Sequence, residues 1–211
     1  MAANVSASTT GPGTPARRFL LLHGLDNRRP RQHWMWWLAE TLRQRGEQVL
    51  YPQLPAPEKP SLADWTDVLL AELAQLGDQE RVVIGHSLGT ALWLRACQVL
   101  PTELRVNRVL LVSPLGEQAF TPENRNEEFE PRDTAPAPLA AASTTAPRAV
   151  ISTTDPYAPA PPEAWAKALG VDLDLVPGAG HITPADGYGP WPAVLDWCVN
   201  RQTPLTGKTA G

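Results

Sequence analysis

Four short runs in this chain are apolar at every position: Phe19–Leu22, Val82–Ile84, Val109–Val112 and Ala149–Ile151. Successive side chains of a strand point to opposite faces, so a half-exposed strand alternates apolar and polar residues, and an unbroken apolar run marks a strand covered on both faces. Helical patterns separate these runs. Trp34, Leu38 and Leu42 recur every four positions between His33 and Arg45, and Leu62, Trp65, Leu69, Leu73 and Leu76 form a longer stripe. Ser61 with Asp64 supplies a capping box at the start of that stripe, and Gly77 supplies its stop. Glu47–Tyr51 reads as a further strand. The last strand, Val171–Val176, alternates instead, with Asp172 and Asp174 on a polar face, and is expected at a sheet edge. Pro162 opens a short helix that Gly170 ends, and Pro192 opens the final one. Strands that alternate with helices call for a parallel sheet joined by right-handed crossovers. The expected fold is three-layer α/β, with a mainly parallel sheet of about six strands in the order 2-1-3-4-5-6 and helices on both faces.

A chain of 211 residues suffices for one core, and the working domain is placed at 17–200. Residues 1–16 and 201–211 are poor in core anchors and are expected to be tails. With 19% charged residues and a formal net charge of −4, the chain is neither a basic nucleic-acid binder nor a highly charged disordered segment. No apolar run approaches the ~18 residues of a membrane span, and the stretch after Arg17-Arg18 stops at Leu22, which does not make an export signal. A cytoplasmic protein is expected. Cys97 and Cys198 lie far apart, without metal or redox spacing, and read as buried free thiols.

Chemistry enters with Gly85-His86-Ser87-Leu88-Gly89, which follows a strand and opens a helix. That is the setting of a nucleophile elbow, whose sharp turn lifts a serine hydroxyl to a helix N-terminus. A serine needs a base, and the base needs an orienting group. Of the four histidines, His181 lies in the flexible loop after the last strand, where an imidazole can cross the carboxyl ends of the sheet. His23 ends the first strand, His33 starts a helix, and His86 occupies the variable position of the elbow. The orienting acid should fall between Ser87 and His181 in chain order, and Asp155, directly after the fifth strand, fits. Asp186 and Asp196 come too late. The backbone amides of Leu88 and Leu25 are the candidate oxyanion donors, since strands 1 and 3 are neighbours at the switch point of such a sheet. Gly24, His86 and Trp36 are the candidate substrate-contacting residues; Trp36 and Trp37 cannot both face the core, being about 100° apart on a helix.

From His23 to Trp197 the chain resembles the compact α/β-hydrolase family of serine hydrolases that includes retinoblastoma-binding protein nine and YdeN-like bacterial proteins. The matching stretches are His23-Gly24 with Gln32-His33-Trp34, Asp64-Trp65, the elbow, Asp155-Pro156-Tyr157, and Gly178-Ala179-Gly180-His181-Ile182 with Gly189-Pro190-Trp191-Pro192. The resemblance implies a reduced hydrolase sheet without a large lid domain, and the triad Ser87, Asp155 and His181. One departure is the Glu-rich stretch Glu123–Glu130. It belongs to the segment 115–147, expected to be a flap of loops with short helices at most. Between Leu115 and Ala135 six acids face two arginines, either as a solvated loop or as an element that disfavours anionic substrates.

The resulting expectation is a serine hydrolase acting on a small acyl substrate, an ester, thioester or amide, with no metal or organic cofactor, no nucleic acid and no membrane partner. A second function fits the same fold: a hydrolase-like module whose role is to engage a protein partner.

Overall fold

The computed structural model describes residues 17–132 and 135–207; the expected N-terminal tail at 1–16 and the end of the C-terminal one lie outside the described residues. All four continuously apolar runs are strands of one sheet. β1 (Arg18–Leu22), β2 (Gln48–Leu50), β3 (Arg81–His86), β4 (Arg108–Val112), β5 (Arg148–Ser152) and β6 (Asp172–Val176) pair in the order β2-β1-β3-β4-β5-β6, and every pairing is parallel. The strand period divides the core into two. Leu20, Leu22, Val83 and Leu111 pack with α2 (Leu62–Gln75), α3 (Leu88–Ala96) and α5 (Pro162–Leu169) on one face. Phe19, Leu21, Val82, Ile84 and Leu110 pack with α1 (Trp34–Gln44) and α6 (Pro192–Val199) on the other. Both cysteines are buried and free, and burial pushes both thiols up, Cys198 to about 12.

The expected helix signals are used locally. Ser61 accepts the Asp64 amide at 3.3 Å, and the His33 ring caps α1 by accepting the Met35 amide through Nδ1 at 3.2 Å. The sequence runs that predict the helix after the elbow extend to Leu100, but the helix ends at Ala96 and residues 97–99 are turn. Gly89, in its first turn, lies against the end of β1. A Cβ placed there would meet the carbonyl oxygen of Leu22 at 2.2 Å and its carbon at 2.7 Å, and both are backbone atoms. Gly89→Ala is therefore expected to push α3 off β1 and to destabilise the protein by about 3 kcal/mol, the upper range of overpacking. Gly77→Ala, at φ 69° with open space around it, bears only the left-handed backbone penalty of ~1–2 kcal/mol. Urea midpoints of the two variants measure the difference; equal losses would mean that helix and strand are free to separate there.

At the sheet edge two expectations change. Asp174 is not on a solvated polar face: Arg148 donates to its carboxylate through Nε at 2.6 Å and Nη2 at 2.8 Å, while Leu175 is 40% exposed. The chain also stays packed beyond Asn200. Leu205 is 2% exposed, its amide donates to Asp174, and Trp191 Nε1 donates to the Thr206 carbonyl at 2.9 Å, so residues 201–207 are part of the folded unit rather than a tail.

Among the described residues, the segment between β4 and β5 holds three 3₁₀ turns (Glu117–Ala119, Pro122–Asn124, Glu127–Phe129) and α4 (Pro136–Ala142). Buried Phe129 anchors it, edge to face with Trp65 at 5.1 Å. Glu128 accepts the Leu62 amide at 3.2 Å, which puts a carboxylate at the N-terminus of α2 where the helix dipole favours it. Arg95 holds the Glu130 carbonyl at 2.9 Å. The acidic stretch is thereby tied to α2 and α3. Among the described residues no helix is long and apolar enough to cross a membrane.

Candidate active site

β3 runs straight into α3, and the residue between them is Ser87. Its φ of 54° and ψ of −123° are a conformation that a non-glycine residue adopts only at a cost of about 1–3 kcal/mol. Neighbouring bonds hold it there. The Ser87 amide donates to Val112 O at 3.0 Å, and its carbonyl accepts Thr90 N at 2.9 Å and Thr90 Oγ1 at 2.6 Å.

The three residues expected to act together lie in one hydrogen-bonded row. Ser87 Oγ is 2.9 Å from His181 Nε2, and His181 Nδ1 is 2.8 Å from Asp155 Oδ2. The Asp155 side chain has no exposed surface, and its other oxygen accepts the Tyr157 amide at 2.9 Å. A carboxylate only accepts, so His181 carries its proton on Nδ1 and turns the Nε2 lone pair toward the serine hydroxyl. Tyr157, 45% exposed, stands edge-on to the His181 ring at 5.0 Å.

Gly24 follows β1 and touches the elbow: a Cβ there would lie 2.8 Å from Ser87 Cβ and 3.1 Å from Oγ. The next residue, Leu25, is half-buried, and Leu88 is the first residue of α3. Among the described residues, neither amide donates to a protein acceptor. Both are thus free to receive a ligand oxygen.

The loop that carries His181 is fastened at nearly every peptide. Three successive hydroxyls at the end of β5 accept three successive loop amides: Thr153 takes Gly178 at 3.2 Å, Ser152 takes Ala179 at 2.9 Å, and Thr154 takes Gly180 at 3.2 Å. Asp186 Oδ2 accepts the His181 amide at 3.1 Å as well as Thr183 N and Oγ1. The His181 carbonyl accepts His86 Nε2 at 3.0 Å and Ser113 Oγ at 3.2 Å, and the Ile182 carbonyl accepts Trp34 Nε1 at 3.0 Å. Of these partners, Asp186 had been set aside because it follows His181; the local signal was the Thr183-x-x-Asp186 capping pattern.

His86 is corrected as a substrate contact. It is 3% exposed, and its ring lies among His33 at 5.1 Å, His181 at 5.3 Å and Trp34 at 5.7 Å. Trp36 is half-buried against the α1 and α6 side of the core, with the Arg31 guanidinium 5.7 Å over its ring. Burial keeps the other three histidines neutral. His23 is pushed down to about 4 by burial, with the nearby Arg29 charge adding to it. His33 is also pushed to about 4, by burial and then by His23 and His181. His86 lies well below the usual range, chiefly through burial. His23 has a building role: Nδ1 bonds the Gly24 carbonyl at 2.9 Å and Nε2 accepts the Leu54 amide at 2.9 Å, which fixes the turn beside Ser87.

An open groove of about 530 Å³ lies between the 115–132 segment and α5, over Leu115, Phe120, Trp165 and Leu169, and none of Ser87, Asp155 and His181 lines it. Among the described residues no cluster of three or more His, Cys, Asp or Glu is placed to hold a metal ion.

The family description "serine hydrolase" matches residues 19–199. The protein YdeN of Bacillus subtilis (strain 168) is 27% identical over 168 residues, which cover 78% of this chain and 85% of that protein. Its crystal structure superposes with a TM-score of 0.73 at 23% identity, over 87% of this chain and 97% of the other. At lower identity the same fold recurs in Est1E of Butyrivibrio proteoclasticus with ferulic acid bound (TM-score 0.64, 16% identity, 88% and 89% covered). It recurs again in the type II thioesterase BorB of the borrelidin biosynthetic cluster (TM-score 0.57, 18% identity, 94% and 96% covered).

Proposed function

The chain belongs to the serine hydrolase family, and from that premise we propose that it cleaves a carboxylic ester, a thioester or a small amide through an acyl-enzyme intermediate. The observation that carries this reading is the row Ser87–His181–Asp155 on a strained elbow. Ser87 Oγ attacks the acyl carbon as its proton passes to His181 Nε2. Asp155 holds the imidazole in place and stabilises its cation, and the proton then goes to the leaving group. Water, deprotonated by His181 in turn, attacks the acyl-serine and releases the acid. The developing oxyanion falls to the Leu25 and Leu88 amides; a donor of this kind is worth about 3 kcal/mol in a known case. That neighbours of this fold include a ferulate-bound protein and a thioesterase supports the acyl class of substrate.

The test is reaction of the purified protein with a fluorophosphonate, followed by intact mass and peptide mapping. A single adduct on Ser87, absent from Ser87→Ala, is expected. No adduct under conditions that label a control hydrolase would overturn the reading and leave the partner-binding function in its place.

A further inference from the structure

The peptide groups on both sides of His181 are held by two polar side chains outside the row, buried His86 and half-buried Asp186. The His86 ring donates from Nε2 to the His181 carbonyl, and the Asp186 carboxylate accepts the His181 amide. We propose that His86 and Asp186 are positioning residues that clamp the backbone of His181 and so fix its imidazole between Asp155 and Ser87. The inference rests on the hydrolase reading above and assigns to that site two residues outside the row itself.

Strand geometry explains how His86 reaches its place. It is the last residue of β3, paired with Val112, and shares the face of Val82 and Ile84 that packs toward α1. Its ring therefore passes under the sheet end toward the His181 loop, while Ser87 turns the other way. Its Nδ1 is buried without a partner among the described residues. An unpaired buried nitrogen is a cost, commonly about 1–3 kcal/mol, that an apolar side chain of similar size would remove. For packing alone, then, leucine or phenylalanine would serve as well as histidine or better. The one thing that these residues cannot supply is the N–H to the His181 carbonyl. Ser113 Oγ, at 3.2 Å, gives that carbonyl a second, longer bond. Gly180 is closed in from the other side, since a Cβ there would overlap the Asp186 carboxylate. Misplacing a reacting group by about 1 Å can cost 100-fold in rate.

The experiment compares His86→Leu, His86→Phe and His86→Gln in steady-state hydrolysis of p-nitrophenyl acetate, with thermal melts of each. Glutamine places an amide N–H near the position of Nε2. Loss of the donor should lower kcat about 100-fold with KM nearly unchanged and the melting temperature kept or raised, and His86→Gln should recover most of the loss. Asp186→Asn, which keeps an acceptor oxygen, should retain more kcat than Asp186→Ala. The low-field proton NMR signal of the His181 Nδ1–H held by Asp155 should broaden away in the Leu and Phe variants and persist with Gln. A folded Leu or Phe variant with wild-type kcat and an intact low-field signal would overturn the clamp. If instead Ser87→Ala retained wild-type turnover, the hydrolase reading would fall, and the NMR signal would still decide the clamp by itself.

Discussion

Ser87→Ala is expected to lower kcat/KM for a short p-nitrophenyl ester by roughly 10⁴-fold or more, the scale seen when a catalytic serine is removed elsewhere. The fold should survive. The serine hydroxyl bonds only His181 among the described residues, and the backbone bonds that hold the elbow run through its amide and carbonyl. Alanine at φ 54° bears the same strain as serine, so the turn is neither relieved nor tightened. His181→Ala should be nearly as damaging. Asp155→Asn should lose less, because it leaves the ring in place but no longer fixes its proton on Nδ1. The double variant Ser87→Ala with His181→Ala should be no worse than either alone, since these residues act as a unit. Steady-state kinetics over a matched background rate measure all four. A folded Ser87→Ala protein with wild-type turnover would sink the mechanism.

Much of this was open to inspection in the chain. Unbroken apolar runs bounded by turn residues mark strands covered on both faces, their alternation with helices calls for a parallel sheet, and the order 2-1-3-4-5-6 is that of a doubly wound one. The elbow named Ser87, and the order of chemistry along the chain named Asp155 and then His181. His86 was placed facing substrate although the strand period was enough to turn it inward: with Val82 and Ile84 on the α1 face, His86 must follow them. His86 belongs to the last pleat of β3, paired with Val112, rather than to the turn that follows it. Asp186 was lost to a different rule, the chain order of the triad, which says nothing about residues that hold the loop. The hydroxyls Ser152, Thr153 and Thr154 carry no signal of their own, since three polar residues after a strand look like any loop. Their role depends on β6 lying beside β5 in a register that brings residues 178–180 alongside. The same holds for Asp174, whose partner Arg148 is a neighbour only across the sheet, and for Leu205, one apolar side chain whose covering depends on where β6 ends.

Acid should unfold this protein earlier than its modest charge implies. His23, His33 and His86 are neutral in the folded state, the first two titrating only at about 4 and the third held by burial well below the usual histidine range. In the unfolded chain each takes up a proton near pH 6.5. The unfolded state therefore binds more protons than the folded one throughout the interval from about 6.5 down to 4, and stability must fall as pH falls through it. Above 6.5 the contribution is fully present. Well below 6.5 His23 and His33 each remove about 1.4 kcal/mol per pH unit, so that at pH 5 the two together cost on the order of 4 kcal/mol, a large part of what a domain this size has, and His86 acts in the same direction. Urea titrations at pH 7 and pH 5 measure the loss directly, and a protein equally stable at both would refute the assignment of neutral buried histidines. His33→Asn separates one contribution from the rest. An asparagine oxygen can take over the cap on the Met35 amide that His33 Nδ1 now makes, so the helix start is kept while a titrating group is removed. The difference in stability between pH 7 and pH 5 should shrink by about 2 kcal/mol in that variant.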